Sequence, residues 1–251
     1  MRKYLCQSRW LLLSPLLFII VWEIISTIIG NDLIFPGIPS IFKALTDIIK
    51  GKDFLSIVFH TLKRTGISIG ISLVIGILCS ILSYRYKFFY ILFFPFFSFL
   101  KSIPTIAVII LVLIWSNVEA VPIITGIMIL LPLIYENILG GIDSIDRDLL
   151  KMADIYKVSK IDILKGIYIP RVYYFSSSGI PTLIALTLKV VIAGEVLSQG
   201  SLSIGGEIFM GKIYLESSSI FAWIIIVILI NFLLDISLKK LNKELTKWRK
   251  L

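Results

Sequence analysis

Two lysines, Lys101 and Lys189, and one glutamate, Glu195, stand inside long apolar runs of this 251-residue chain. Charges in such places are costly, and they face a cavity or a partner. Lys101 follows Phe88 by 13 residues and Lys189 follows Ser176 by 13. At about 1.5 Å per helical residue, both lie roughly 20 Å into their runs, so the two amines can share one depth. The chemistry this suggests is a cationic ring that receives an anion, with Pro104 and Thr105 beside Lys101 as further lining. The structural alternative is a lysine that snorkels outward or pairs with Glu195 or Glu23. Lys189 and Glu195 are six apart and are not helix neighbours. Glu195 sits near the outer end of its run, where it can meet a gate or the Gly200–Gly206 loop, or simply be hydrogen-bonded in place.

A second group of residues is charged and helix-patterned. Lys151 to Pro170 reads KMADIYKVSKIDILKGIYIP and lies between two long apolar stretches. Ile155, Ile163 and Ile167, with Val158 and Leu164 less regularly, form an apolar stripe among charges. An ordinary solvated loop is the plain reading. The surrounding polar connection is about 35 residues long, however, while the turn at Tyr84–Phe88 is minimal, and long structured loops usually carry function. The insert at 143–170 therefore predicts a docking element on a membrane protein, with Pro170 stopping its second helix.

Other chemistry is poorly supplied. No Gly-Lys-Ser/Thr nucleotide loop exists, so this chain predicts no ATP hydrolysis of its own. His60 is the one histidine, and Cys6 and Cys79 are the two thiols, so neither a metal centre nor a disulfide framework is expected. No cofactor is expected either. Gly200, Gly205 and Gly206 read as a turn. Asp143, Asp146, Asp148, Asp154 and Asp162 alternate with cations as solvated helix faces do. The net charge of +9 and the basic tail Lys239–Leu251 suit anionic lipid headgroups, with no nucleic-acid role.

These residues must be positioned by membrane helices. Hydrophobic residues make up 57% of the chain, and several runs approach the ~20 residues needed to cross a bilayer. We read an all-α, polytopic single domain over 1–251, with six spans near 11–29, 62–84, 89–114, 120–140, 176–198 and 220–238. The first run, after Arg2, Lys3 and Arg9, lacks a small-x-small cleavage site and is read as a retained span. Pro95 and Pro104 predict a kinked or broken third span. Of the 25 Lys and Arg, 17 fall on the side of both termini and of the insert, which places these in the cytoplasm. Lys63 and Arg64 are counted among the outer cations. After the first span, Pro36–Ser40 is a turn, and Ser40 is expected to cap a short amphipathic helix on the outer interface.

The insert resembles the permease signature of ATP-binding-cassette (ABC) importers: Glu-Ala-Ala, Gly three residues on, nine more residues, then Ile-x-Leu-Pro. The Glu position falls on Lys151, the Ala pair on Met152 and Ala153, the Gly on Lys157, and the close on Ile167, Tyr168, Ile169 and Pro170. Residues 34–40, the Leu100–Ala107 stretch with Leu113-Ile-Trp115, Lys189–Leu197 with Gly205, and 212–223 are similar to the nitrate, sulfonate and taurine branch. The resemblance implies the type I importer permease fold, with the insert as coupling helices in a groove of the ATPase. The coupling residues would be Lys151, Met152, Ala153, Asp154, Tyr156, Lys157, Val158, Ile163, Ile167 and Pro170. Lysines at the Glu and Gly positions predict an acidic groove on that partner. The implied assembly is two permease copies, two ATPase subunits and an extracellular solute-binding protein in a bacterial cell membrane. The solute would be small and anionic or organic: nitrate, sulfonate, taurine or thiamine-precursor type. A stand-alone secondary transporter or channel is the alternative.

Overall fold

A computed structural model of the chain describes residues 17–177 and 179–245, and among them it is helical throughout, without strands. Cys6, the N-terminal cations and the start of the first expected span lie outside the described residues, as do residue 178 and the end of the basic tail.

Helix α1, Leu17–Ile29, is the described part of the first apolar run. It leads through a tight bend into α2, Ile38–Lys50. The bend is tied by Trp22 Nε1 donating to the Pro36 carbonyl at 3.1 Å and by the Ile38 N–H donating to Glu23 at 3.1 Å. Ser40 does not cap α2. The helix starts at Ile38 after Gly37, with Pro39 in its first turn, about one turn earlier than expected, and the Ser40 hydroxyl turns back to Asp32 at 2.7 Å. That bond, with the Gly37 N–H, holds the Asp32 carboxyl below its ordinary range.

Helix α3, Phe54–Arg85, runs 32 residues and begins before the expected span. It packs along α6, Val121–Asp143. The seam is built from small and hydroxylated residues, which let membrane helices approach closely and bond across. At Gly76 an added Cβ would fall 2.6 Å from Ile134 Cγ2. Ser80 Oγ donates to the Gly76 and Tyr135 carbonyls, Ser68 Oγ bridges the Arg64 and Ile123 carbonyls, and Tyr135 donates to Ser83 at 2.9 Å.

The third expected span is broken. Helix α4, Lys87–Ser102, and α5, Thr105–Trp115, meet at 103°. Pro104 cannot donate an N–H, and Ile103 before it takes the extended conformation that precedes prolines. Pro95 is carried inside α4 without ending it. Past α6 the chain forms α7, Arg147–Ile155, then α8, Lys160–Ile163, a wide π turn over Leu164–Tyr168, and α9, Ile169–Ser177.

Pro170 therefore does not stop the second helix of the insert. The Ile169 N–H bonds Leu164 O, five residues back, and this widened turn sits where proline leaves the ordinary ladder a donor short. Helix α10, Ile180–Ser198, starts four residues later than expected, with Pro181 in its first turn. Helices α11, Ile204–Ile213, and α12, Ser217–Leu245, complete the chain.

Among the described residues four helices, α3, α6, α10 and α12, are long and apolar enough to cross a membrane, and α4 with α5 makes a fifth if the bent pair is one span. The main apolar cluster joins Ile57, Leu188, Ile192, Ile204, Trp223 and Ile226, tying α3, α10, α11 and α12 together at one end. Large side chains such as Val74, Leu78, Ile228 and Phe232 point outward, as lipid-facing residues do.

Candidate functional site

At the end where α10 meets α11, a buried charge network joins four segments. Glu195 is 0% exposed and Arg64 7%. Glu195 Oε1 accepts from Arg64 Nη1 at 2.9 Å, and Oε2 accepts from Thr61 Oγ1 at 3.0 Å and from the Gly205 N–H at 3.1 Å. The second arm of Arg64 pairs with Glu119, which lies between α5 and α6 and is mostly exposed. Thr61 also accepts the Ile204 N–H at 3.1 Å.

The local sequence explains the closeness. Gln199 ends α10 in the left-handed conformation, and Ser203 caps α11 by accepting from the Gly206 N–H. Gly205 lies so near α10 that a Cβ there would sit 2.4 Å from Glu195 Cβ. Gly205 and Gly206 thus open a short helix rather than forming a turn. The site couples the start of α3 and the end of α10 to the α11 loop, and its charges are satisfied internally. Glu207, nearby on α11, has its carboxyl pushed up by burial and then by the charge of Asp53.

Sequence reasoning counted Arg64 only as an outer cation at the start of the second span. Its partners Glu119 and Glu195 are 55 and 131 residues away, and no local pattern announces them.

The two intramembrane lysines differ. Lys101 pairs with Glu136 of α6, rather than with Glu195 or Glu23, and both side chains are about one-third exposed. The readable signal for this partner is Glu136 itself, an acid standing alone inside the fourth apolar run. Lys189 is exposed and in no salt bridge among the described residues. It lines an open hollow of about 460 Å³ between α5 and α10, together with Thr105, Ile106, Ile109, Ala193 and Leu197. Thr105 thus shares the hollow with Lys189. Lys101 is not among its lining residues, and Pro104 stands at the break beside it.

On the opposite side, the insert forms a small foot. Asp146 caps α7 by accepting from the Asp148 N–H at 2.9 Å, and Ser159 caps α8 by accepting from the Asp162 N–H at 3.2 Å. Between them Lys157 adopts φ +53°, the left-handed conformation, while the Val158 N–H bonds Ala153 O at 2.9 Å to close the helix end. Glycine takes this conformation without strain and lysine does not. The side-chain split is clear: Ala153 is buried, Ile163 and Ile167 are half-buried, and Met152, Ile155, Tyr156, Val158, Ile161 and Leu164 are exposed. Ile155 and Tyr156 are 75% and 77% exposed. Ile161 lies outside the stripe read from Ile155, Ile163 and Ile167, and it faces solvent on α8.

Lys151 pairs with Asp148 at 2.7 Å, and Asp154 and Lys157 are exposed. The foot is fixed to the body by Arg171, which donates to Ser144 Oγ and O at 3.1 and 3.0 Å. Tyr168 and Tyr84 also join, hydroxyl to hydroxyl, at 3.2 Å. Burial and this hydrogen bond push the Tyr168 phenol up to about 12.

Comparison with known proteins adds the following. The profile of the binding-protein-dependent transport system inner membrane component family matches residues 72–247. The aliphatic sulfonates transport permease protein SsuC of Escherichia coli K12 is 28% identical over 151 residues, 59% of this chain and 57% of that protein. SsuC of Bacillus subtilis 168 is 21% identical over 95% of this chain and 87% of its own length. An ABC transporter permease protein of Brucella abortus 2308 is 21% identical over 86% of each. Among solved structures, a chain of an amino acid ABC transporter crystallised with histidines superposes with a TM-score of 0.59 at 15% identity, covering 79% of this chain and 94% of that one.

Proposed function

We propose that this chain, which belongs to the binding-protein-dependent transport system inner membrane component family, is the permease subunit of an ATP-driven importer. It would carry a small anionic or organic solute, such as an aliphatic sulfonate, across a bacterial cell membrane. The observation that carries the reading is the foot. Its exposed face presents Met152, Ile155, Tyr156 and Ile161 to solvent, on helices that are capped and anchored. Apolar side chains displayed on a rigid support are the signature of a docking surface.

In this reading an ATPase subunit takes those knobs into a groove, and Lys157 with its neighbours chooses an acidic partner. Two copies of the chain, each acting as one unit over 1–251, enclose the path. Both termini and the foot face the cytoplasm, and an extracellular binding protein delivers the solute at the Glu195 end. ATP-driven closure of the ATPases would move the paired feet, and α9 would pass that motion to α6 through Arg171 and Ser144. The outer network of Arg64, Thr61, Glu195 and Gly205 would hold α3, α10 and α11 together while the spans tilt.

The stand-alone transporter reading has one favourable observation, the broken α4–α5 pair, since discontinuous helices line many such sites. It leaves the foot's apolar face without an occupant.

The test is a pair of cysteine variants, Met152→Cys and Ile155→Cys, crosslinked in membranes that contain the neighbouring ATPase. Capture of the ATPase is expected. Ile155→Glu should reduce binding-protein-stimulated ATP hydrolysis at least tenfold while leaving insertion intact. The reading fails if no ATPase is captured, or if solute still accumulates after the ATPase is deleted.

A further inference from the structure

We propose that Lys189 is the residue that gives the membrane path its preference for an anion, a role that rests on the permease reading above. Lys189 is the middle residue of α10, nine residues from Ile180 and nine from Ser198. Nine helical residues span about 13.5 Å, close to half of a ~30 Å hydrocarbon core. The four-carbon lysine stem reaches about 6 Å, so the amine cannot snorkel to either headgroup layer. A lipid-facing place for it would be costly. Its surroundings must supply water or a counter-charge.

Protein carboxylates do not supply the counter-charge. Glu136 is taken by Lys101, Glu195 by Arg64, and Asp235 by Lys239. Glu23 accepts the Ile38 N–H. Of the carboxylates that lie away from helix ends in the described spanning segments, Glu23 alone has no cation partner, and it is turned into the α1–α2 bend by the Ile38 N–H, outside the lining of this hollow. What remains is an open hollow with apolar walls, wide enough to admit water, with one hydroxyl from Thr105 and one ammonium in no salt bridge. An ammonium with three donors beside a hydroxyl fits a compact oxyanion such as a sulfonate, and repels a cation. The pairing of Lys101 removes it from this role, so one lysine of the supposed ring remains.

The test needs no knowledge of the natural solute. In the full chain, with Cys6 and Cys79 replaced, Ala193→Cys places a thiol in the same hollow, and Leu197→Cys serves as a second site should the first disturb packing. Expressing membranes are treated with sulfonatoethyl methanethiosulfonate, an anion, and with the cationic trimethylammonium-ethyl reagent. With Lys189 present the anionic reagent should be favoured. Lys189→Met should lower the anion-to-cation rate ratio about tenfold at both sites, and Lys189→Arg should preserve it. An unchanged ratio in Lys189→Met, or no reaction of either reagent at either thiol, overturns the proposal. The outcome is independent of ATPase capture at the foot, so failure here and failure of the permease reading are told apart.

Discussion

Replacing Glu195 by alanine tests the buried network most directly. The carboxylate accepts three hydrogen bonds, one from a guanidinium that is itself 7% exposed. Without it Arg64 keeps only Glu119, which faces water, and the Gly205 N–H loses its acceptor. Breaking one side of a buried ion pair costs about 3–5 kcal/mol, and an orphaned buried N–H costs about 1–3 kcal/mol on its own. The two losses overlap, so the expected total for Glu195→Ala is about 3–5 kcal/mol. Glu195→Gln keeps the shape and one carbonyl acceptor and should cost about 1–3 kcal/mol. Reversible SDS unfolding in mixed micelles gives the number, with Trp223, which packs in the same cluster as Ile204, as the fluorescent reporter. A double-mutant cycle with Thr61→Val should show coupling of at least ~0.5 kcal/mol. If Glu195→Ala costs under about 1 kcal/mol, or no more than Glu195→Gln, the network does not hold α3, α10 and α11 together and the reasoning is refuted.

Two further outcomes follow from the foot. Lys157→Gly relieves a left-handed residue and should stabilise the foot by about 1 kcal/mol, read as slower amide exchange in α7. The Tyr168 phenol is raised to about 12 in the folded chain, so its contribution is present in full below the unfolded value near 10 and is lost as pH climbs from about 10 through 12. The stability gap between the parent and Tyr168→Phe should therefore narrow over that window in unfolding titrations, and a gap that widens would contradict the Tyr84–Tyr168 contact.

Much of the architecture was legible because lipid imposes simple rules. The four long spans follow from apolar length, and the broken third follows from Pro104, whose missing N–H acts locally. Lys157 was also readable as the one lysine at a glycine position, and its positive φ gives the physical meaning of that glycine. What was not legible depends on distant pairing. Arg64 looks like a surface cation until Glu195 is brought against it, and Lys101 looks like a path residue until Glu136 is. Pro170 misled for the opposite reason. Proline normally ends a helix, but here one widened turn absorbs the missing donor and lets the segment run on to Ser177.

The α3–α6 seam has a consequence for movement. Ser68 and Ser80 each bond a carbonyl one turn back in α3 as well as a carbonyl of α6. If α3 slides along α6, these two hydroxyls surrender only the second acceptor and keep the carbonyl of their own helix, so the one cross-seam donor at risk is the Tyr135 hydroxyl on Ser83. At the two serines the seam is a lubricated bearing: it grips at rest, yet a small shift leaves each of these hydroxyls bonded within its own helix.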